Sequence, residues 1–245
     1  MVQLALAAIF VACGGLTKGI VGLGLPLVAV PLLSYIMPVP EAVSLMIVPI
    51  LVTNLYQMLR NSEIKQALTR FWPAILFLVL GMPVGTFGLT VLKTSWLDLV
   101  LALVVIVFVI SNLFPRPFTI SPQHERWWGP PVGLVSGVIG GLSSQYGPPI
   151  GLYLLALKVP KDTFIATMAV TLEIGAVVLF ISLLSFHVLQ AQGLMYSSLA
   201  VVPAFIGLVI GEHARSRFSQ ETFQKAVLLI LLVTAAFLIR RGLHG

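Results

Sequence analysis

Apolar runs of about 20 residues separated by short polar gaps dominate this chain. The uninterrupted ones are Glu41–Leu59, Pro73–Leu92, Trp96–Phe114, Thr163–Phe186, Gly193–Gly211 and Thr222–Ile239. A helix of about 20 residues rises about 30 Å, the thickness of a bilayer's hydrocarbon core. Within that core only helices and closed barrels satisfy their own backbone. Composition agrees: 58% of the residues are hydrophobic and 9% charged, about a third of the charge of a soluble domain. Such a chain cannot cover a globular surface in water, which argues against a soluble enzyme, a disordered chain and a nucleic-acid binder. The net charge of +6 is spread through the gaps, where it reports topology. The sequence predicts an all-α polytopic membrane protein.

Two more apolar regions, Val2–Ile36 and Pro131–Leu157, are interrupted. The first is expected to break at Gly14-Gly15-Leu16-Thr17-Lys18-Gly19 and the second at Gly140-Gly141-Leu142-Ser143-Ser144-Gln145. The two breaks resemble each other, and the likeness continues. Gly24-Leu25-Pro26 matches Gly147-Pro148-Pro149, Val39-Pro40-Glu41 matches Val159-Pro160-Lys161, and Pro83 matches Pro203. Residues 1–114 and 131–245 thus read as two transmembrane repeats, each a broken segment followed by three whole helices. Pro115–Pro130 is the polar, Pro-rich cytoplasmic linker between them.

The gap charges choose between a broken segment that crosses and one that dips and returns. If both dip, Arg60, Lys65, Arg70, Arg116, Arg126, Lys158, Lys161, Arg215, Arg217 and Lys225 share one side, against Lys93, Arg240 and Arg241 on the other. That is ten to three; single crossings give seven to six. The positive-inside rule needs the asymmetry, so each broken segment is expected to be a re-entrant helix hairpin. Three crossings per half invert the second repeat relative to the first. Both termini then lie on the non-cytoplasmic side of a plasma membrane, such as a bacterial inner membrane.

Non-helical backbone at membrane depth needs protein or a water-filled cavity around it. Two such breaks in corresponding positions point to the substrate site of a secondary transporter. Gly19, Gly22 and Gly24 are expected at the start of the returning half-helix, where bare backbone N–H groups and the helix dipole favour an anion. Thr17 adds a hydroxyl, and Lys18 is the one Lys or Arg within the two interrupted apolar regions. Ser143, Ser144, Gln145 and Tyr146 offer neutral donors before Gly147. Donors with a single cation suit a small oxyanion.

The Gly-rich break leading into GLPLVAVPLL, the VPEAV start of the next helix and the later GGLSSQYGPPIGLYLL resemble the TauE/SafE sulfite exporter family. The resemblance covers nearly the whole chain outside the linker and tails. It implies two four-segment halves and transport of sulfite, organosulfonates, thiosulfate or related anions.

Single residues carry competing readings. Lys18 lies about 22 Å along a straight helix from the outer entry, deep enough to bind substrate, although its stem could also snorkel toward headgroups. Glu173, mid-span and matched by Thr53, could carry a coupling proton or serve as a structural hydrogen-bond partner. Asn54 is expected to line the cavity, whereas Gln57 reads as interhelical glue. Thr167 and Thr171 are expected to bond the i−4 carbonyls of their own helix. Gly81/Gly85 and Gly207/Gly211 have the small-xxx-small spacing of close helix packing. Trp72, Trp96, Trp127 and Trp128 read as interfacial anchors. His124, His187, His213 and His244 have no metal spacing. Cys13 is the single cysteine; it reads as a small packing residue near the break, with redox or sulfur chemistry as the alternative. The lack of Lys or Arg in Met1–Phe10 argues against a lipoprotein processing site there.

The expected function is alternating-access transport, in the export direction, of a small sulfur-containing anion, with no catalytic residue, metal or cofactor. An anion channel is the first alternative and a membrane-embedded enzyme or maturation factor the second. The expected partners are the anion and the lipid bilayer, not nucleic acid; the oligomeric state is open, a homodimer included. A reporter that is active only in the cytoplasm, fused after Gly245, should stay silent. Strong activity there would sink the proposed topology.

Overall fold

The computed structural model describes residues 2–22, 24–60, 63–114, 119–215 and 220–244. Arg116 and Arg217 of the charge count, and residues 115–118 of the predicted linker, lie outside them. All regular structure among the described residues is helical. It runs α1 (Val2–Val21), α2 (Leu25–Leu33), α3 (Val39–Leu59), α4 (Ile64–Val91), α5 (Thr94–Leu113), a 3₁₀ turn (Pro122–His124), α6 (Glu125–Ser143), α7 (Gly147–Ala156), α8 (Lys161–Ser185), α9 (Ala191–Ala214) and α10 (Gln220–His244). Seven of these (α1, α3, α4, α5, α8, α9 and α10) are long and apolar enough to cross a membrane. The chain is a multi-span membrane protein.

The helices outrun the apolar runs where polar residues can stay outside. Helix α4 starts at Ile64 rather than Pro73: Lys65, Gln66, Thr69 and Arg70 face out while Ala67, Phe71 and Ala74 are buried. Pro83 and Pro203 lie inside continuous helices. Helix α6 begins at Glu125, within the stretch read as linker.

The first expected break is displaced, and the second is met only at its last two residues, Ser144 and Gln145. Helix α1 continues through Gly14, Gly15 and Gly19 to Val21, and α6 continues through Gly140 and Gly141 to Ser143. The first turn carries Gly22 and Gly24, past the expected break, and the second runs over residues 144–146. The glycines inside the helices serve packing instead. At the first turn Gly22 and Gly24 have φ of 87° and 110°, angles that side chains rarely tolerate. At the second, Ser144 takes φ 61°, uncommon for a non-glycine residue. Helix α2 folds back on α1: a Cβ on Gly14 would lie 2.6 Å from the Leu25 carbonyl oxygen and 2.8 Å from Ala29 Cβ. Helix α7 folds back on α6, where Ser136 Oγ donates to the Tyr146 carbonyl. The return limbs have 9 and 10 residues; at 1.5 Å per residue each covers about half of a ~30 Å core.

By internal contacts the chain forms two units, each drawing on both halves of the sequence. The first is Met1–Ile50, Val91–Phe114 and Val188–Gly245; the second is Leu51–Thr90 and Pro115–His187. In the first unit α1 lies against α9 with backbone touching backbone. A Cβ on Gly15 would sit 2.1 Å from Ala204 O, one on Gly207 2.1 Å from Ala12 O, and one on Gly211 2.3 Å from Leu16 O. Helices α5 and α10 are tied by Gln224 Nε2 donating to Asn112 Oδ1 at 2.9 Å. They are tied again by Arg241, which grips the buried Asp98 with two N–H groups and donates a third to Ser34 O at the end of α2.

The second unit repeats the glycine pattern with α4 and α6. A Cβ on Gly85 would meet Val138 O at 2.1 Å, and one on Gly137 would meet Leu78 O at 2.3 Å. The outer ends of the hairpin are pinned as well. Arg70 makes two 2.8 Å bonds to Glu125, whose backbone carbonyl accepts from Tyr153 Oη at 2.8 Å. Stripes such as Leu80, Val84 and Phe87 on α4 or Leu199, Ile206 and Ile210 on α9 are exposed. Trp72, Trp96, Trp127 and Trp128 are exposed too, which suits lipid contact and interfacial anchoring.

A side chain wedged between the paired backbones must force them apart. Gly207→Val or Gly137→Val should each cost about 1–3 kcal/mol or prevent folding, read as a lower melting temperature in detergent. Ile206→Val on the lipid face is the control. A Gly137→Val protein that melts like wild type would remove the proposed contact.

Candidate functional site

In the second unit the α6–α7 turn is built around one aromatic side chain. Tyr146 is 1% exposed, and its ring fits because two positions beside it lack a Cβ. One on Gly140 would lie 2.6 Å from Tyr146 Cβ, and one on Gly175 of α8 2.6 Å from Tyr146 Cε2. The hydroxyl donates to the Leu172 carbonyl at 2.8 Å. Asn54 Nδ2, from α3, donates to the same carbonyl at 3.0 Å. Ser136 holds the backbone carbonyl of Tyr146, and Ser144 N–H closes α6 on Gly140 O at 2.7 Å. The turn is therefore clamped from α3, α6 and α8.

The second unit also holds a set of buried polar atoms, on the turn and on α8. Ser144 Oγ, Gln145 Nε2 and Oε1, Thr167 Oγ1 and Thr171 Oγ1 have no hydrogen-bond partner among the described residues. Ser144, Gln145, Thr167 and Thr171 are each 1% exposed. Leaving such a group unsatisfied costs roughly 1–3 kcal/mol, and Ser144 and Gln145 bear that cost within the clamped turn itself. Thr167 and Thr171 are one turn apart on α8, next to the face that meets the hairpin tip: Leu172 and Met168 are the atoms a Cβ on Gly147 would touch, at 3.2 and 3.8 Å. The expected i−4 backbone bonds of these threonines are not made. The hydroxyls are left for another partner.

The donors at the start of α7 come mainly from side chains. Gly147 opens the helix, but Pro148 and Pro149 carry no N–H. The helix dipole still points its positive end at the turn. Glu173, 9% exposed, is the buried carboxylate of α8. Ser143, by contrast, spends its hydroxyl on Ile139 O at 2.7 Å.

The first unit holds the other expected residues. Thr17, 5% exposed, donates to Cys13 O at 2.9 Å. Gly19 is inside α1, where a Cβ would lie 2.2 Å from Leu208 O of α9, so close packing accounts for it. Gly22 and Gly24 form the turn into α2, with Gly22 N–H donating to Lys18 O at 2.7 Å. Lys18 is 2% exposed and is the buried cation among the described residues. Burial at that level does not fit an ammonium snorkelling into headgroups.

That the hydroxyls of Thr167 and Thr171 go unmet is an outcome that spacing alone does not reveal. Gly140, Gly175 and Ser136 were not foreseen as the seat of Tyr146. The clue for Gly175 was its place in the middle of an otherwise uninterrupted apolar helix, where a glycine needs a packing reason.

Among known proteins, the family model described as Sulfite exporter TauE/SafE matches residues 6–238. No curated protein and no solved structure matches the chain.

Tyr146→Phe keeps the ring and deletes the bond to Leu172, and should lower stability by about 1 kcal/mol. Gly175→Ala should do more, because the added methyl displaces the ring. Thermal melting that ranks wild type above Tyr146→Phe above Gly175→Ala checks this; an unaffected Gly175→Ala protein contradicts the clamp.

Proposed function

Because the chain belongs to the TauE/SafE sulfite exporter family, a transporter family, we propose that it is a secondary transporter exporting a small sulfur-containing anion. Sulfite, a sulfonate and thiosulfate are the candidate cargoes. The observation that carries the reading is the buried, unpartnered Ser144 hydroxyl and Gln145 amide at the broken end of a half-helix, with the unmet Thr167 and Thr171 hydroxyls on α8. Such donors, in a site without bulk water, can replace an anion's hydration shell. Ser144, Gln145, Thr167 and Thr171 would select the anion in the second unit, on a backbone fixed by Tyr146, Asn54 and Gly147. Lys18, with Thr17, Gly22 and Gly24, would supply positive charge at the tip in the first.

Alternating access about the two hairpins is the mechanism in this reading, with the hairpins entering from opposite faces of the plasma membrane and both termini outside the cytoplasm. An inside-negative potential favours anion export by roughly 2.3 kcal/mol per charge per 100 mV. Glu173 would carry a coupling proton. No Walker-type phosphate loop is present in the sequence, so the energy would come from ion gradients or the potential.

Flux of sulfite, thiosulfate and methanesulfonate through proteoliposomes tests this. Saturable flux is expected, and Lys18→Met should raise the half-saturating concentration about tenfold or more, as for a lost charge-assisted bond. Glu173→Gln should flatten the dependence of flux on a pH gradient. Unsaturable flux would make the protein a channel, and absence of flux for every anion would overturn the transport reading.

A further inference from the structure

One side chain in the site discriminates between ligands that the hydroxyls accept alike. Hydroxyls rotate and can donate or accept. The Gln145 amide cannot: it presents two N–H donors at one end and an acceptor-only oxygen at the other. Both ends are buried and have no partner among the described residues. The choice between the two orientations of the amide does not matter here, because the donor end and the acceptor end are equally unsatisfied. The side chain also stands on a fixed backbone, between Ser144 bonded to Gly140 O and Tyr146 held by Leu172 and Ser136.

An anion with no proton of its own would satisfy Nε2 and set its lone pairs against Oε1. In a buried site that repulsion adds to the desolvation cost of the unmet acceptor. An anion that retains one O–H satisfies both ends. Charge points the same way. Every described Lys and Arg of the second unit is exposed, so no buried cation among its described residues offsets a second negative charge, and burying charge is costly without one.

We propose that the α6–α7 tip takes its anion in singly protonated form, as an oxyacid monoanion bearing one O–H. The O–H donates to Gln145 Oε1, and the anion's oxygens accept from Gln145 Nε2 and the Ser144 hydroxyl. This rests on the anion-transport reading. For sulfite, whose second ionisation falls near neutral pH, the species bound is hydrogen sulfite. The titratable side chains on the elements packed against the tip are Tyr146 itself, Lys161, Asp162 and Glu173 of α8, Glu125 and Arg126 of α6 and Tyr153 of α7. Arg126, Lys161 and Asp162 are exposed, Tyr153 is bonded to the Glu125 carbonyl at the far end of α6, and in this unit α3 contributes Tyr56 and the neutral Asn54.

Equilibrium binding to the purified full-length protein, with sulfite and with methanesulfonate as probes across the second ionisation of sulfite, tests the inference. Methanesulfonate has the same single charge, carries no O–H at any of these pH values, and meets the same protein groups, so it reports any titration of Glu173 or Tyr146. The apparent affinity for total sulfite should fall about tenfold per pH unit above that ionisation relative to methanesulfonate, and methanesulfonate should bind at least tenfold more weakly than hydrogen sulfite. Gln145→Leu, checked for an unchanged melting curve, should bring the two monoanions to within about threefold of each other. Equal affinities in the wild type, or sulfite affinity that holds or rises with pH, overturns the protonated-anion inference and leaves anion transport standing. Binding of neither probe overturns the anion-transport reading itself.

Discussion

Contact of backbone with backbone is what the structure depends on. In apolar surroundings helices gain nothing from burying apolar side chains, so close packing and hydrogen bonds must hold them together. Gly15, Gly207 and Gly211 let α1 and α9 approach until carbonyl oxygens stand where a Cβ would be. Gly85 and Gly137 do the same for α4 and α6. In each unit, therefore, the long limb of a hairpin is fixed against a long helix from the other half of the sequence. The short return limb rests on that support. Helices of nine and ten residues are marginal alone, and they keep their places by packing on a limb that is itself held.

That support allows the second unit to keep irregular backbone and unsatisfied polar atoms far from bulk water. The Tyr146 ring fills the space left by Gly140 and Gly175, and its hydroxyl joins Asn54 at the Leu172 carbonyl. Shifting the turn would move the ring out of the space that Gly140 and Gly175 leave. Preorganisation of this kind keeps a binding group available to a ligand, because the cost of leaving it unmet falls on the fold.

The sequence made the helices, the membrane class and the special status of the two interrupted regions legible, because hydrophobic run length and gap charge are local quantities. It placed the first break several residues early, and began the second in the last turn of α6, for an equally physical reason. A glycine run marks either a turn or a close approach, and the two look alike until the neighbour is known. Gly14, Gly15 and Gly19 proved to be helical packing residues, while Gly22 and Gly24 make the turn. Thr167 and Thr171 are similar: an i, i+4 pair of threonines fits backbone bonding or a free hydroxyl edge, and only the rotamers distinguish them.

By itself the sequence determined that this protein is a bundle of spanning helices with two broken segments of related design, and its motifs already resembled those of the family. Periodicity, composition and repeat act along the chain, so they survive without coordinates. Tertiary structure decided which glycines turn the chain and which let helices touch, and which polar groups are spent on backbone, as in Thr17 and Ser143, or held unspent, as in Ser144 and Gln145. Hydrogen-bond satisfaction depends on neighbours far apart in sequence, such as Tyr146 and Leu172, so it exists only once the helices have packed.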